Sequence, residues 1–264
     1  VRRRTRPGGK GLSPPVINLL PGWGYRASVW EGLIARLGPG WAPNPVELPW
    51  EYPPARWLAP DGPLAARLRP GWCLGWSFGG SLALALAEAG VGGIPGVVLL
   101  ASTPCWVAAP DWAAGLETEA IADLRAQVED DPEAALRHFS ALAALGAAEP
   151  GRVRGALAHH LLTRTEGPAL AAALALMLRL DARVLPPRLA VRVIEGEGDR
   201  LLPAGIDPAW LAANDIRRHR LPRSGHAPLV ADPAAVAATL AASGAGAEPG
   251  VNQRRPGAPG GTCP

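Results

Sequence analysis

Three side chains in this sequence have the types needed for nucleophilic catalysis: Ser77, Asp199 and His226, in that order along the chain. A serine hydroxyl is a poor nucleophile until a base takes its proton. The base in turn needs an acceptor that fixes its tautomer and stabilises the imidazolium. Ser77 is the centre of Gly75-Trp76-Ser77-Phe78-Gly79, a G-x-S-x-G stretch. In a chain with 32 glycines that pattern alone is weak. Its flanks add weight, with Pro70-Gly71-Trp72-Cys73-Leu74 reading as a short apolar strand and Gly80 to Glu88 as an Ala/Leu-rich helix. A sharp strand-to-helix turn strains the serine backbone and demands small residues two before and two after it. It also sets the serine at a helix N-terminus, where free N–H groups favour developing negative charge.

His226 lies in Ser224-Gly225-His226-Ala227-Pro228, a loop just ahead of an expected helix. Asp199 follows the apolar run Val191-Arg192-Val193-Ile194, in the loop Glu195-Gly196-Glu197-Gly198-Asp199-Arg200. Each residue alone has an ordinary explanation: a turn-forming aspartate, a surface histidine, a chance glycine-rich match. Together, in the order Ser, acid, His, each in a loop after a strand, they point to a hydrolase relay. Glu195 and Glu197 compete with Asp199 for the acid. Asp199 is preferred because it stands further from the strand and precedes Leu201-Leu202-Pro203, which can bury it. An oxyanion hole needs the Phe78 N–H and a second donor from the loop after an early strand. Val16 to Leu20 is that strand and Pro21-Gly22-Trp23-Gly24 that loop, so the Trp23 N–H is the second candidate.

The elements that must hold these groups follow from pattern. Strands are expected near 16–20, 44–48, 71–75, 96–101, 190–194 and 216–221. Helices are expected near 28–38, 77–89 and 233–242. Strands alternating with helices predict a mostly parallel sheet flanked by helices. Between about 105 and 185 the pattern is helical only, near 115–130, 132–146, 150–164 and 167–180. The expected organisation is a disordered basic tail over 1–15, an α/β core over 16–104 and 186–242, a helical cap over 105–185, and a disordered tail over 243–264.

At this point the chain resembles a known family. Leu20-Pro21-Gly22-Trp23-Gly24, Val29-Trp30, Leu74 to Gly80, Ala101-Ser102-Thr103-Pro104-Cys105-Trp106 and Phe139-Ser140-Ala141-Leu142 with Gly146 are similar to the carboxylesterases of biotin synthesis. These α/β-hydrolases cleave the methyl ester of pimeloyl-acyl carrier protein. The likeness extends over roughly residues 16 to 240. It implies an α/β-hydrolase fold with an inserted all-helical cap, and a relay of Ser77, Asp199 and His226. It also implies substrate contacts at Trp23, Ser77, Phe78, Phe139, Ser140, Ala141, Leu142, Ala143 and His226. No cofactor and no metal are implied. The partner is an acyl carrier protein, which the family receives on cap arginines; Arg137, Arg152 and Arg154 fall near those places. Two departures stand out. Family members carry His-Gly-Trp-Gly where this chain has Pro21 first, and Trp50-Glu51 replaces a glycine-rich turn. A backbone donor at Trp23 survives the first change, although the support of its loop differs. Elbow and relay alone leave open a generic short-acyl esterase, or a relative that binds a ligand without catalysis.

Composition narrows the classes further. The 264 residues suffice for one α/β core with an insertion. Hydrophobic content is 48% with no apolar run of membrane length, so a soluble chain is expected. The basic start, Val1 to Lys10, lacks the apolar stretch of a signal peptide. Cys73, Cys105 and Cys263 form no disulfide framework, and a cytoplasmic monomer is expected. The net charge of +3 is carried by the ends, at +5 over residues 1–11 and +1 over 244–264, leaving the middle near −3. Nucleic-acid binding by the folded part is therefore not expected. Within the insertion, Asp111 to Glu133 is acidic and Ala134 to Arg183 is basic. Such polarity either steers an acidic carrier or is simply a solvated face.

Overall fold

The structure is a computed structural model that describes residues 13–163 and 166–242. Most of both expected tails, with Cys263, and Arg164 in the insertion lie outside the described residues. Six strands form one all-parallel sheet: β1 (Val16–Leu20), β2 (Ala42–Pro45), β3 (Trp72–Trp76), β4 (Gly96–Leu100), β5 (Ala190–Gly196) and β6 (Arg217–Leu221). Their spatial order is β2-β1-β3-β4-β5-β6. Near-continuous apolar runs such as Val16 to Leu20 and Gly96 to Leu100 mark strands covered on both faces. Successive residues accordingly alternate between two cores. Leu20, Cys73, Val97, Leu99 and Val193 face one side; Ile17, Leu19, Leu74, Trp76, Val98, Leu100 and Ile194 face the other.

From β1 the chain runs outward to β2, then crosses to β3 on the opposite side. The carboxyl ends of β1 and β3 therefore form the crevice where the winding direction reverses, the favoured place for a site in open parallel sheets. β2 is an edge strand and holds Pro43 and Pro45. The Ala42 and Val46 amides donate to Pro15 and Leu19, so the alternate positions between them point away from β1 and need no N–H. This explains the displacement from the expected 44–48. Strand pairing uses 42–45, and Leu48 is a buried residue of the following turn.

Around the sheet lie α1 (Glu31–Ile34), α2 (Phe78–Glu88), α7 (Pro208–Ala213), α8 (Pro228–Ala231) and α9 (Pro233–Ala242). The helix expected at 28–38 is a 3₁₀ turn over Ala27–Trp30 followed by the single-turn α1, with Gly38-Pro39 beyond it. α7 and α8 are too short to leave a periodic signature, and the sequence pattern missed them. α2 is buried over its first seven residues and ends at Gly90, whose φ of +71° is the left-handed stop that glycine supplies.

Between β4 and β5 come α3 (Thr118–Asp130), α4 (Pro132–Ala144), α5 (Pro150–Ala158) and α6 (Gly167–Met177). α4 starts on Asp131, whose side chain accepts from the Glu133 and Ala134 amides, with Pro132 in the first helical position. α5 ends six residues before the expected 164, for a tertiary reason. Residues 160–162 leave helical form to bond the loop after β1. Arg26 N–H donates to the His160 carbonyl at 2.8 Å, and Leu162 N–H to the Gly24 carbonyl at 2.9 Å. The insertion is thereby tied to that loop.

Candidate active site

Ser77 follows β3 and caps α2 with φ 54° and ψ −125°, a conformation that L-residues avoid. The neighbouring chain enforces it. A Cβ at Gly75 would strike the Gly79 carbonyl and Gly80 amide, and one at Gly79 would strike the Leu20 carbonyl. The Ser77 amide donates to the Leu100 carbonyl at 2.9 Å, and Ser102 Oγ donates to the Ser77 carbonyl at 2.6 Å. The turn is thus held by β4 and the residues after it, while its hydroxyl stays free to point along the crevice.

His226 stands in the loop after β6, fully buried, with Nε2 2.9 Å from Ser77 Oγ. Its Nδ1 is 2.8 Å from Asp199 Oδ2. Asp199 Oδ1 accepts from the Leu201 and Leu202 amides at 2.9 and 3.0 Å. Burial pushes the Asp199 carboxyl up, but His226 and the two amides outweigh it, and the pKa is lowered below the ordinary carboxylate value. The group is therefore an anion at neutral pH. It accepts from Nδ1–H, so Nε2 carries the lone pair that faces the serine. The chain brings these three residues, 149 and 27 positions apart in sequence, into one hydrogen-bonded row.

The competing carboxylates are elsewhere. Glu197 is exposed. Glu195 is buried and accepts from the Ile206 amide at 2.8 Å, behind the Asp199 loop. Three further features hold the row together. Trp76 Nε1 donates to the His226 carbonyl at 2.6 Å. Gly198 N–H donates to the Ser224 carbonyl at 2.8 Å, joining the acid and base loops. The turn after α4 is wedged against both, because Cβ atoms at Gly146 and Gly225 would strike the Gly198 and Leu145 carbonyls.

Trp23 and Phe78 are both fully buried beside the elbow. The Trp23 indole donates to the Leu170 carbonyl in α6 at 3.0 Å and meets the Phe139 ring edge-on at 5.1 Å. Ser140 and Ala143 are buried on α4, whereas Ala141 and Leu142 are half-exposed. The Ser140 and Tyr25 hydroxyls are both buried, and they interact with each other. Tyr25 packs on Trp76 at 4.7 Å, a neighbour that sequence reasoning did not single out. Ser77 is only 3% exposed.

The three arginines differ. Arg137 is exposed and pairs with Glu133 at 3.6 Å on its own helix. Arg154 is exposed. Arg152 is exposed too, but it is also tied to neighbouring chain. Its guanidinium bonds Glu149 at 2.7 Å and the Ala231 carbonyl at 2.8 Å, binding α5 to the end of α8. A separate groove of about 460 Å³ is lined by Val29, Arg36, Arg152, His160, Leu229 and Pro233, and holds none of the relay residues. Among the described residues no cluster of His, Cys, Asp or Glu could hold a metal ion, and no helix is long and apolar enough to cross a membrane.

The chain is similar to known proteins in sequence and in fold. Residues 19–239 match the model of the alpha/beta hydrolase family. The pimeloyl-acyl carrier protein methyl ester esterase of Aromatoleum aromaticum is 34% identical, covering 84% of this chain and 95% of that protein. Those of Xanthomonas axonopodis pv. citri and Nitrosomonas europaea are 31% and 30% identical, over 82% and 83% of this chain and 89% and 91% of theirs. An esterase structure from Exiguobacterium antarcticum superimposes with a TM-score of 0.72 at 17% identity, covering 88% of this chain and 92% of that one.

Proposed function

The chain belongs to the alpha/beta hydrolase family and, within it, to the pimeloyl-acyl carrier protein methyl ester esterases, and on that premise we propose how it works as a serine carboxylesterase of biotin synthesis. Its substrate is the methyl ester of pimeloyl-acyl carrier protein, and its products are pimeloyl-acyl carrier protein and methanol. The observation that carries the mechanism is the row Ser77 Oγ, His226 Nε2, His226 Nδ1, Asp199 Oδ2, with separations of 2.9 and 2.8 Å.

Ser77 Oγ attacks the ester carbonyl carbon as its proton passes to His226 Nε2. Asp199 keeps Nδ1 protonated and stabilises the imidazolium that forms. The amides of Trp23 and Phe78 receive the oxyanion, in a site that water leaves as the insertion closes. The tetrahedral intermediate collapses, the imidazolium protonates the departing methoxide, and methanol leaves. Water then attacks the acyl-enzyme with His226 as base, and the free carboxylate departs with Ser77 restored. An apolar slot of Trp23, Trp76 and Phe139 holds the neutral chain but holds a charged product poorly, which favours release.

The helices of 105–185 act as a cap. Because Ser77 is buried, that cap must open to admit the chain, with Trp23–Leu170 among the bonds that break. Arg137 and Arg154 on the cap face an acidic carrier protein. On the same reading the protein is a cytoplasmic monomer, and the buried free thiols Cys73 and Cys105 suit a reducing compartment.

The test is mass spectrometry of carrier loaded with pimeloyl methyl ester. A carrier-bound product lighter by one methylene, formed by the wild type and not by Ser77→Ala, is expected. Release of free carrier thiol would make the protein a thioesterase and refute the assignment.

A further inference from the structure

We propose that Glu195 is a positioning residue for the relay, holding the far end of the loop that presents Asp199 through one hydrogen bond to the Ile206 amide. The proposal rests on the serine-esterase reading above and adds a residue to it.

The loop leaves β5 at Gly196 and returns to regular structure at α7. Its near end is pinned by Asp199 itself, whose Oδ1 accepts from the Leu201 and Leu202 amides. Its far end is pinned by Glu195, whose Oε1 accepts from Ile206 N–H at 2.8 Å. Between these two anchors the chain turns at Gly205, where φ is +63° and a Cβ would stand 2.9 Å from Glu195 Oε1. The loop thus lies directly on the Glu195 carboxylate. Ile206 is fully buried and Leu202 is 5% exposed, so neither amide can turn to solvent when its acceptor is lost.

A buried carboxylate is an expensive way to accept one amide. Burial raises the Glu195 pKa, and its two cationic neighbours offset that only in part, from the limit of ion-pair distance. Arg218 and Arg220 on β6 stand 3.9 and 4.0 Å from Oε2. Glu195 lies opposite Arg220 in the β5–β6 register, which keeps those cations beside one oxygen and leaves the other for the loop. The same small pocket is lined by Ser102, which holds the elbow, and by Asp199. Releasing Ile206 frees the Leu202 amide, and with it the orientation of the Asp199 carboxylate against His226. A misplacement of about 1 Å is enough to cost roughly 100-fold in rate.

Two mild substitutions separate reach from charge. Glu195→Gln keeps an acceptor oxygen at the same distance and removes the charge. Glu195→Asp keeps the charge and withdraws it by one C–C bond, about 1.5 Å. Turnover of p-nitrophenyl butyrate should retain its kcat within about 3-fold in Glu195→Gln. In Glu195→Asp, kcat should fall by about 10- to 100-fold with KM unchanged. Because the residue acts through the acid, Glu195→Asp should add no further loss in an Asp199→Asn background. Wild-type kcat in Glu195→Asp would overturn the proposal. So would an equal loss in Glu195→Gln, or losses that multiply in the double variant. Turnover that survives Ser77→Ala would instead bring down the esterase mechanism beneath it.

Discussion

Asp199→Asn should reduce kcat by about four orders of magnitude while leaving the fold in place, and the structure gives the reason. The Leu201 and Leu202 amides both point at Oδ1. In the variant they hold the asparagine oxygen there and turn its NH₂ towards His226. The reverse orientation would set that NH₂ against two donors and leave two amides unsatisfied, at about 1–3 kcal/mol each. With an N–H donor facing it, His226 Nδ1 must become the acceptor, and the ring proton moves to Nε2. The Nε2–H group then faces Ser77 Oγ, 2.9 Å away, and cannot take its proton. A wrong tautomer of this kind costs about 10⁴-fold, or about 5.4 kcal/mol of transition-state stabilisation.

The assay is steady-state turnover of p-nitrophenyl butyrate at neutral pH, with circular dichroism melting to check the fold. The two should part company in acid. Folding lowers the Asp199 pKa, so its share of stability is full above the unfolded value of about 3.9 and is lost as pH falls through the lower folded value. Any gap in Tm between wild type and Asp199→Asn should therefore close at low pH. A variant within about 100-fold of wild-type kcat would refute the tautomer argument. A larger loss in Glu197→Gln would reassign the acid.

Trp76→Phe removes the donor to the buried His226 carbonyl and should cost about 1–3 kcal/mol in urea unfolding, with kcat reduced as well; unchanged stability would show the bond to be idle. Charge reversal of Arg137 and Arg154 should lower kcat/KM about 10-fold for the carrier-bound ester, most at low salt, and spare p-nitrophenyl butyrate. Equal losses on both substrates would end the docking idea. Arg152→Ala, by contrast, should impair both substrates because it unties α5 from α8; the decisive comparison is its ratio of the two rates. Glu195 has a raised folded pKa, so its neutral form is favoured and its stabilising share is lost as pH rises through that value. Glu195→Gln should accordingly melt higher than wild type at pH 8, with the advantage vanishing below about pH 4.3; a constant offset across pH would contradict this.

Much of this molecule is written locally. The runs Val16 to Leu20 and Gly96 to Leu100 are too apolar for anything but strands covered on both faces, and the Ala/Leu run after Ser77 has no reason to be other than a helix. The glycines at 75 and 79 are required by the turn itself, where any Cβ meets backbone. Loops after strands could be placed by the same pattern, and with them Ser77, Asp199 and His226 in their order. What local pattern does not contain is who meets whom across the sheet. Three carboxylates within five residues competed for the role of acid, and position along the loop favoured Asp199 without showing where the other two go. The fold set Asp199 against His226, Glu195 under Ile206 and Glu197 in solvent. Nothing in the sequence around Arg152 announces the α8 carbonyl that its guanidinium bonds. α5 is short because residues 160–162 are needed by the loop at Gly24 and Arg26, more than a hundred residues away. Propensity and periodicity act over one or two turns of chain, whereas hydrogen-bond partners and burial are assigned by packing between segments remote in sequence. That is why the longer elements could be read directly and their partners had to be seen.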